Sequence, residues 1–321
     1  MQEYVVIPLE SAFLAQIQEL VHIAKFSLHA PPSLKAKKDT TLLFVGDIML
    51  SRKVGEKITA FHDPRFPFLK IRDLIHSADL AFGNFENPIS SRGEKQGSIY
   101  SFRAHPSVVA GLTFAGFDVL SIANNHILDY GRDALEDTVT LLESNEIRAV
   151  GAGGDSGVAN EPVIKVIGGT RIAFLAYTTL YTKSLEEREF SPGISHFEIE
   201  SAKKNIQDLR TRADIIIVSF HWGEEYKTRS NTTQQKLAHT LIDAGADMIV
   251  GHHPHVAQEI ERYKHGWILY SLGNFVFDQK FSEETMRGLM VRAVVREKRI
   301  AELEPIQIRL NDDFQPEAIP L

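Results

Sequence analysis

From Thr41 onward the chain repeats one pattern: a short apolar run, a polar cluster, then a stretch with helical spacing. The apolar runs are Leu42–Val45, Leu80–Phe82, Val119–Ile122, Ile172–Ala176, Ile215–Phe220, Met248–Val250 and Ile268–Tyr270. Helical spacing is found over Leu69–Ser77, Ser107–Ala115, Ala134–Ser144, Ser201–Thr211 and Thr233–Ala244. Short runs without polar alternation suit strands buried on both faces, and their alternation with helices predicts α/β layering. Gly116 and Gly245 follow two of these helices, where a left-handed cap is expected. No long Gly/Ser linker and no low-complexity segment interrupts residues 41 to about 310, which are expected to form one domain, with 311–321 as a tail. Residues 1–40 are expected to be an N-terminal extension. Its apolar spacing from Ser11 to Phe26 predicts one amphipathic helix, broken by Pro31-Pro32, that packs on the domain, meets a partner or lies on a membrane surface.

Composition narrows the class. The 321 residues include 35 Lys+Arg and 42 Asp+Glu, a net charge of −7, with 43% hydrophobic and 24% charged residues, the balance of an ordinary globular protein. There is no cysteine, which removes disulfides, thiolate metal sites and cysteine nucleophiles. No Lys/Arg stripe could neutralise a row of phosphates, so nucleic acid is not an expected partner. No run reaches the ~18 apolar residues of a membrane span. The start, MQEYVVIPLESAFLAQIQEL, lacks the basic region and clean apolar core of a secretory signal, so a cytoplasmic location is expected if this start is authentic.

The strand ends carry the chemistry. In an open α/β sheet, ligands bind beyond the carboxyl ends of the strands. Those ends read Gly46-Asp47, Gly83-Asn84-Phe85-Glu86, Asn124-Asn125-His126, His221-Trp222-Gly223, Gly251-His252-His253-Pro254-His255 and Gly273-Asn274. Carboxylates (Asp47, Glu86), carboxamides (Asn84, Asn125) and imidazoles (His126, His221, His253, His255) without sulfur suit Mn, Fe or Zn, as one ion or two. Each residue also has a plainer role open to it: Asp47 could cap a helix, Asn125 could close a turn, and a histidine could be a satisfied core residue. In an extended backbone His253 and His255 point to one face, and His252 is expected to face the other way. His126 and Asp129 lie three apart, so the carboxylate can orient the imidazole as a general acid. The glycine-rich Gly151–Gly154 lacks a following Lys-Ser/Thr, and Ser271 lacks a nucleophile elbow, which disfavours a phosphate-cradling loop and a serine hydrolase.

GDIML, GNFENP, ANNHILDYG, FHWGEEY, VGHHPHV and YSLGNFVFDQ, in this order, resemble the CapA family of bacterial capsule proteins, also called poly-γ-glutamate synthesis proteins. The resemblance covers about residues 41–310. It implies the calcineurin-like metallophosphoesterase fold, a four-layer α/β/β/α sandwich with a two-metal site. The segment 125–131 is similar to the Asn-His-Glu-Phe-Asp-x-Gly of 5′-nucleotidases. That match implies Asn125 as metal ligand and His126 with Asp129 as acid dyad. Asp47, His221, His253 and His255 match further metal ligands, and Glu86 or else Asn84 stands where a bridging carboxylate is expected. His252, Glu225, Asn274 and Asp278 are candidates to orient ligands or substrate. Two departures stand out: Met49 occupies the place of a histidine ligand, and Asn84-Phe85-Glu86 replaces the bridging aspartate.

Two functions follow from the resemblance. One is a metal-dependent hydrolase or transferase, with a metal-activated water as nucleophile, acting on a phosphoester or a capsule amide bond. The other is a non-catalytic factor that assembles or anchors capsule polymer with a degenerate metal site. The implied partners are an anionic polymer, which needs a local basic area such as Arg103 or Arg229, and membrane-bound capsule synthase components. The family also implies the cell envelope or its outer side, which no signal or anchor in this chain supports.

Overall fold

The computed structural model describes residues 39–97, 99–154, 156–180, 193–195 and 197–319, so the helix expected over 11–26 lies outside the described residues. In chain order the strands are β1 (Thr40–Ile48), β2 (Leu80–Phe85), β3 (Val119–Ser121), β4 (Arg148–Val150), β5 (Ala152–Gly153), β6 (Val163–Ile167), β7 (Thr170–Thr178), β8 (Gly193–Ile194) and β9 (Ile215–His221). They continue as β10 (Met248–His252), β11 (Ile260–Tyr263), β12 (Gly266–Leu269), β13 (Asn274–Val276), β14 (Arg287–Arg296), β15 (Arg299–Leu310) and β16 (Pro316–Ala318). The α-helices are α1 (Arg52–Phe61), α2 (Arg72–Ile75), α3 (Val109–Ala115), α4 (Arg132–Ser144), α5 (Ser156–Asn160), α6 (Ile199–Leu209) and α7 (Thr232–Ala244). Every apolar run singled out in the sequence falls on a strand. The helix expected over Leu69–Ser77 contracts to the single turn α2, which starts only after Ile71, whose φ of −121° and ψ of −11° lie outside the helical region. Gly116 and Gly245 take the left-handed caps of α3 and α7, at φ 88° and 118°.

Two sheets are stacked. The first runs β16-β15-β14-β1-β2-β3-β4, with β13 added parallel to β1; the second runs β11-β12-β10-β9-β7-β6. Alternation along the second sheet explains the layering. Ile172 and Phe174 of β7, Ile215 and Ile217 of β9, and Met248 and Val250 of β10 enter the core shared with the first sheet. The residues between them (Ala173, Leu175, Ile216, Val218 and Ile249) pack with Ile206 of α6 and Leu241 of α7. Successive side chains on a strand point to opposite faces, so a strand apolar at every position needs a partner layer on each side. Phe82 of β2 stacks on Phe174 of β7 across the sheet interface, with centroids 5.4 Å apart. Val54 and Ile58 of α1, Leu112 of α3, and Leu135 and Leu142 of α4 join the core of the first sheet. The result is an α/β/β/α sandwich.

The sheet edge that carries the polar strand ends is built by register. Asp47 is paired with Asn84 of β2 and with Asn274 of β13, and His221 of β9 is paired with His252 of β10. Within residues 311–319 the chain forms β16, paired antiparallel with the end of β15, Ile308 opposite Ala318 and Leu310 opposite Pro316.

Candidate metal centre

Asp47 is the centre of the cluster and fully buried. Asn84 Nδ2 donates to its Oδ1 at 2.8 Å, and the main-chain N–H of His253 donates to its Oδ2 at 3.3 Å. His252 Nδ1 lies 3.4 Å from Oδ1, and His255 Nδ1 lies 3.3 Å from Oδ2. Burial works to raise the Asp47 carboxyl, but the imidazoles of His252 and His255 close beside it hold it well below the usual carboxylate range. Glu86 shows the opposite balance. It is fully buried, and burial together with the charge of Asp47 pushes it well above its ordinary value. Asn84 Nδ2 also donates to Glu86 Oε2 at 3.1 Å, while Oε1 faces His255 Nε2 at 3.6 Å and has no hydrogen-bond partner.

The histidines divide by what fixes them. Asn274 Oδ1 takes His255 Nδ1 at 3.0 Å, leaving Nε2 turned toward Glu86. An outer carboxamide that holds one ring nitrogen sets the tautomer of a ligating histidine. His221 Nε2 meets Asn125 Oδ1 at 2.8 Å, and its Nδ1 meets Asn84 Nδ2 at 3.3 Å. Burial, followed by the charge of His253, keeps the His221 imidazole well below its ordinary pKa. His253 is lowered to about 3, by burial first and then by His255.

His252 corrects the expectation that it faces away from its neighbours. The backbone is not extended there: His253 and His255 have φ of 96° and 58°, which breaks the two-residue alternation, so that the His252 and His255 rings both come to Asp47 while the His253 ring lies against His221, centroids 4.8 Å apart. Side chains rarely adopt such φ values, and where they do the surroundings must hold them in place.

His126 and Asp129 lie in the loop between β3 and α4. His126 Nδ1 is 2.8 Å from Asp129 Oδ2, and the Phe102 main-chain N–H donates to the same oxygen at 2.7 Å. The Phe102 ring lies against the imidazole, with centroids 4.0 Å apart. Asn124 shapes this loop, a role that the sequence pattern did not assign to it. Its Oδ1 accepts from the main-chain N–H groups of His126 and Ile127, and its Nδ2 donates to Asn84 Oδ1 and to the Phe85 carbonyl. A polar residue of that type directly before Asn125 was the available signal.

Some candidates sit outside the cluster. The Asp278 carboxylate is ion-paired with Arg52 at the start of α1 and accepts from the main-chain N–H of Lys53. Arg52 in turn lies over Phe102, 4.9 Å from its ring centroid, so Asp278 is separated from His126 by Arg52 and Phe102. Arg103 lies over the Tyr130 ring at 4.1 Å and donates to the carbonyls of Arg92 and Gly93, so it contributes to the fold rather than to a free basic area. Arg229 is exposed. Met49 is fully buried, and its sulfur accepts from Ser51 Oγ at 3.0 Å.

The donor set fits a divalent cation. One ligand-type atom each from Asp47, Glu86 and His255 lies within 4.8 Å of the other two. Glu86 Oε1, both nitrogens of His252 and Nδ1 of His253 are buried without a hydrogen-bond partner. Unpartnered polar atoms of this kind are costly in a packed interior, and a cation removes that cost.

Comparison with known proteins agrees with this architecture. The profile described as bacterial capsule synthesis protein PGA_cap matches residues 41–279. The chain is 33% identical over 291 residues to the capsule biosynthesis protein CapA of Bacillus anthracis, covering 88% of this chain and 70% of that one. It is 37% identical over 253 residues to the PGA biosynthesis protein CapA of Bacillus subtilis (strain 168), covering 77% and 66%. The chain thus spans about two thirds of the length of these relatives. Among solved structures, a 5′-nucleotidase precursor from Thermus thermophilus superposes with TM-score 0.52 at 14% identity, over 87% of this chain and 56% of that one, a likeness of fold.

Proposed function

The chain belongs to the PGA_cap family of bacterial capsule synthesis proteins, and from that premise we propose that its strand-end cluster binds a divalent cation and cleaves or transfers a bond in capsule-polymer synthesis. The bond is a γ-glutamyl amide of the anionic polymer or a phosphoester. The observation that carries the reading is Glu86 Oε1, buried and unpartnered beside Asp47 and His255. Asp47, Glu86 and His255 hold the ion, with Asn125, His221 and His253 beside them. Mn, Fe or Zn each suits such an oxygen and nitrogen set.

When bound, the cation supplies Lewis-acid polarisation and an activated water. The protein's own groups do the rest. Asn274 fixes the His255 tautomer, and Asn84 ties Asp47 to Glu86. Asp129 accepts from His126 Nδ1, so His126 keeps Nε2 for a proton that passes to the leaving oxygen or nitrogen. Phe102 covers one face of the imidazole and limits water there.

Met49 supports a second reading, an assembly or anchoring factor that engages polymer or synthase and has lost turnover, because by the sequence resemblance it takes the position of a histidine ligand of the wider superfamily, and its sulfur is instead engaged by Ser51. Elemental analysis and a hydrolysis panel of phosphodiesters and poly-γ-glutamate separate the two. The catalytic reading expects His126→Ala to keep the metal and lose turnover. A wild-type chain that holds metal and turns over neither class of substrate favours the assembly factor.

A further inference from the structure

A second group of ligand-type atoms stands beside the first. One atom each of Glu225, His253 and His255 lies within 4.8 Å of the others. Resting on the cation-binding reading above, we propose that Glu225 is itself a cation ligand, a carboxylate arm that closes the coordination sphere from the solvent side.

Three observations support this. First, the Glu225 group includes a histidine with an unsatisfied ring atom: His253 is only 6% exposed and its Nδ1 has no hydrogen-bond partner. Second, Glu225 is exposed, but the backbone that carries it is fixed. Tyr226 has φ 63°, and its main-chain N–H donates to the Pro254 carbonyl at 2.8 Å, between His253 and His255. The Tyr226 ring meets Phe281 edge-on at 4.9 Å and lies 6.2 Å from the His255 ring. Gln279 Nε2 donates to the Tyr226 hydroxyl at 3.2 Å, Gln279 Oε1 accepts from Asn274 Nδ2 at 3.1 Å, and Asn274 Oδ1 takes His255 Nδ1. One hydrogen-bond path therefore ties the arm to the histidine it would ligate beside.

Third, His255 belongs to both ligand groups, and a neutral imidazole offers one lone pair. The two groups are therefore two sides of one coordination sphere around the ion that His255 holds. Glu225 then restores in number the ligand that Met49 does not provide. An exposed carboxylate beside imidazoles can also act only through its charge, and that is the alternative to separate.

The test uses the full chain stripped of metal, titrated with Mn²⁺ and with Co²⁺ against a competing chelator, and read by affinity, stoichiometry and the Co²⁺ visible band. Glu225→Gln and Glu225→Asp are each expected to bind at least about 10-fold more weakly, with an altered Co²⁺ band and an unchanged metal-free melting temperature. Asp47→Asn is expected to lose binding. Wild-type affinity and spectrum in both Glu225 variants overturn the role of Glu225 and leave the cation site standing. A weakening in Glu225→Gln that vanishes at high salt with the Co²⁺ band unchanged identifies a screened charge and overturns the proposal as well. A wild-type chain that takes up neither ion overturns the cation-binding reading underneath it.

Discussion

Gly251, the residue of β10 directly before the three histidines, tests how tightly the fold sets the site. It is paired with Phe220 of β9, and a Cβ there would lie 1.9 Å from the Tyr270 carbonyl oxygen and 2.6 Å from Trp222 Nε1. Those two atoms are hydrogen-bonded to each other at 3.0 Å, so the methyl would wedge into an existing bond. Ordinary contact begins near 3.4 Å, so backbone must move by about 1.5 Å, and no flexible side-chain end is available to give way. Overpacking of this kind costs about 1–3 kcal/mol. Losing the indole bond adds about 1 kcal/mol. Gly251→Ala is therefore expected to destabilise by about 2–4 kcal/mol, a fall in Tm of about 4–8 °C at about 2 °C per kcal/mol for a chain this long. The control is Gly154→Ala, where an added Cβ meets nothing within 4 Å. It should stay within about 0.5 kcal/mol. Thermal and urea unfolding of metal-free protein measure both, and chelator competition reports whether His252–His255 have shifted from Asp47. If Gly251→Ala matches the control in stability and keeps wild-type cation affinity, the close approach of these strands does not set the site.

Other perturbations probe separate parts. Asp129→Asn should keep bound metal and KM but lower kcat by about 10²–10⁴ on whichever substrate the wild type turns over, because His126 loses its orienting acceptor; unchanged turnover removes the dyad from the mechanism. Arg52→Met should destabilise by about 2–3 kcal/mol, below the ~3–5 of a fully buried pair because Arg52 is 35% exposed, and adding Asp278→Asn should recover part of it in a double-mutant cycle. His253 has a folded-state pKa of about 3 against an ordinary 6.5, so the unfolded chain binds its proton more readily between those values. Its contribution, of order 5 kcal/mol, is present above pH ~6.5 and is lost as pH falls toward ~3. In chelator, the stability gap between wild type and His253→Gln should therefore narrow across that window, and a pH-independent gap would refute the assignment.

Much of this was legible in the sequence, for an identifiable reason. Strands buried on both faces leave uninterrupted apolar runs such as Ile215–Phe220, and the residues directly after such a run must stand at the sheet edge. Parallel pairing of Asp47 with Asn84 and of His221 with His252 then brings distant residues together without any further signal. The hairpin of β14 and β15 escaped notice because its turn uses Glu297 and Lys298, at φ 48° and 63°, in place of the usual Asn-Gly. Strand alternation misplaces His252 because the positive φ values of His253 and His255 end that alternation. The position of Asp278 was legible but its partner was not, since the pair joins residues 226 apart in sequence.

The charge balance of the cluster links these parts. Asp47 and Glu86 are both fully buried, and the imidazoles around them are held neutral where burial dominates, as at His221 and His253. Two buried carboxylates without equivalent positive charge cannot both remain ionised at low cost. The fold resolves this unevenly: His252 and His255 keep Asp47 charged, and Glu86 is left to take a proton. A proton on Glu86 and a cation beside it therefore compete for the same place. Neutral imidazoles, costly partners for an anion, are the form of histidine that ligates a metal. The same burial that makes the cluster a poor salt bridge makes it a good ligand set, and Glu225, exposed beside it, bears none of that burial cost in the folded chain.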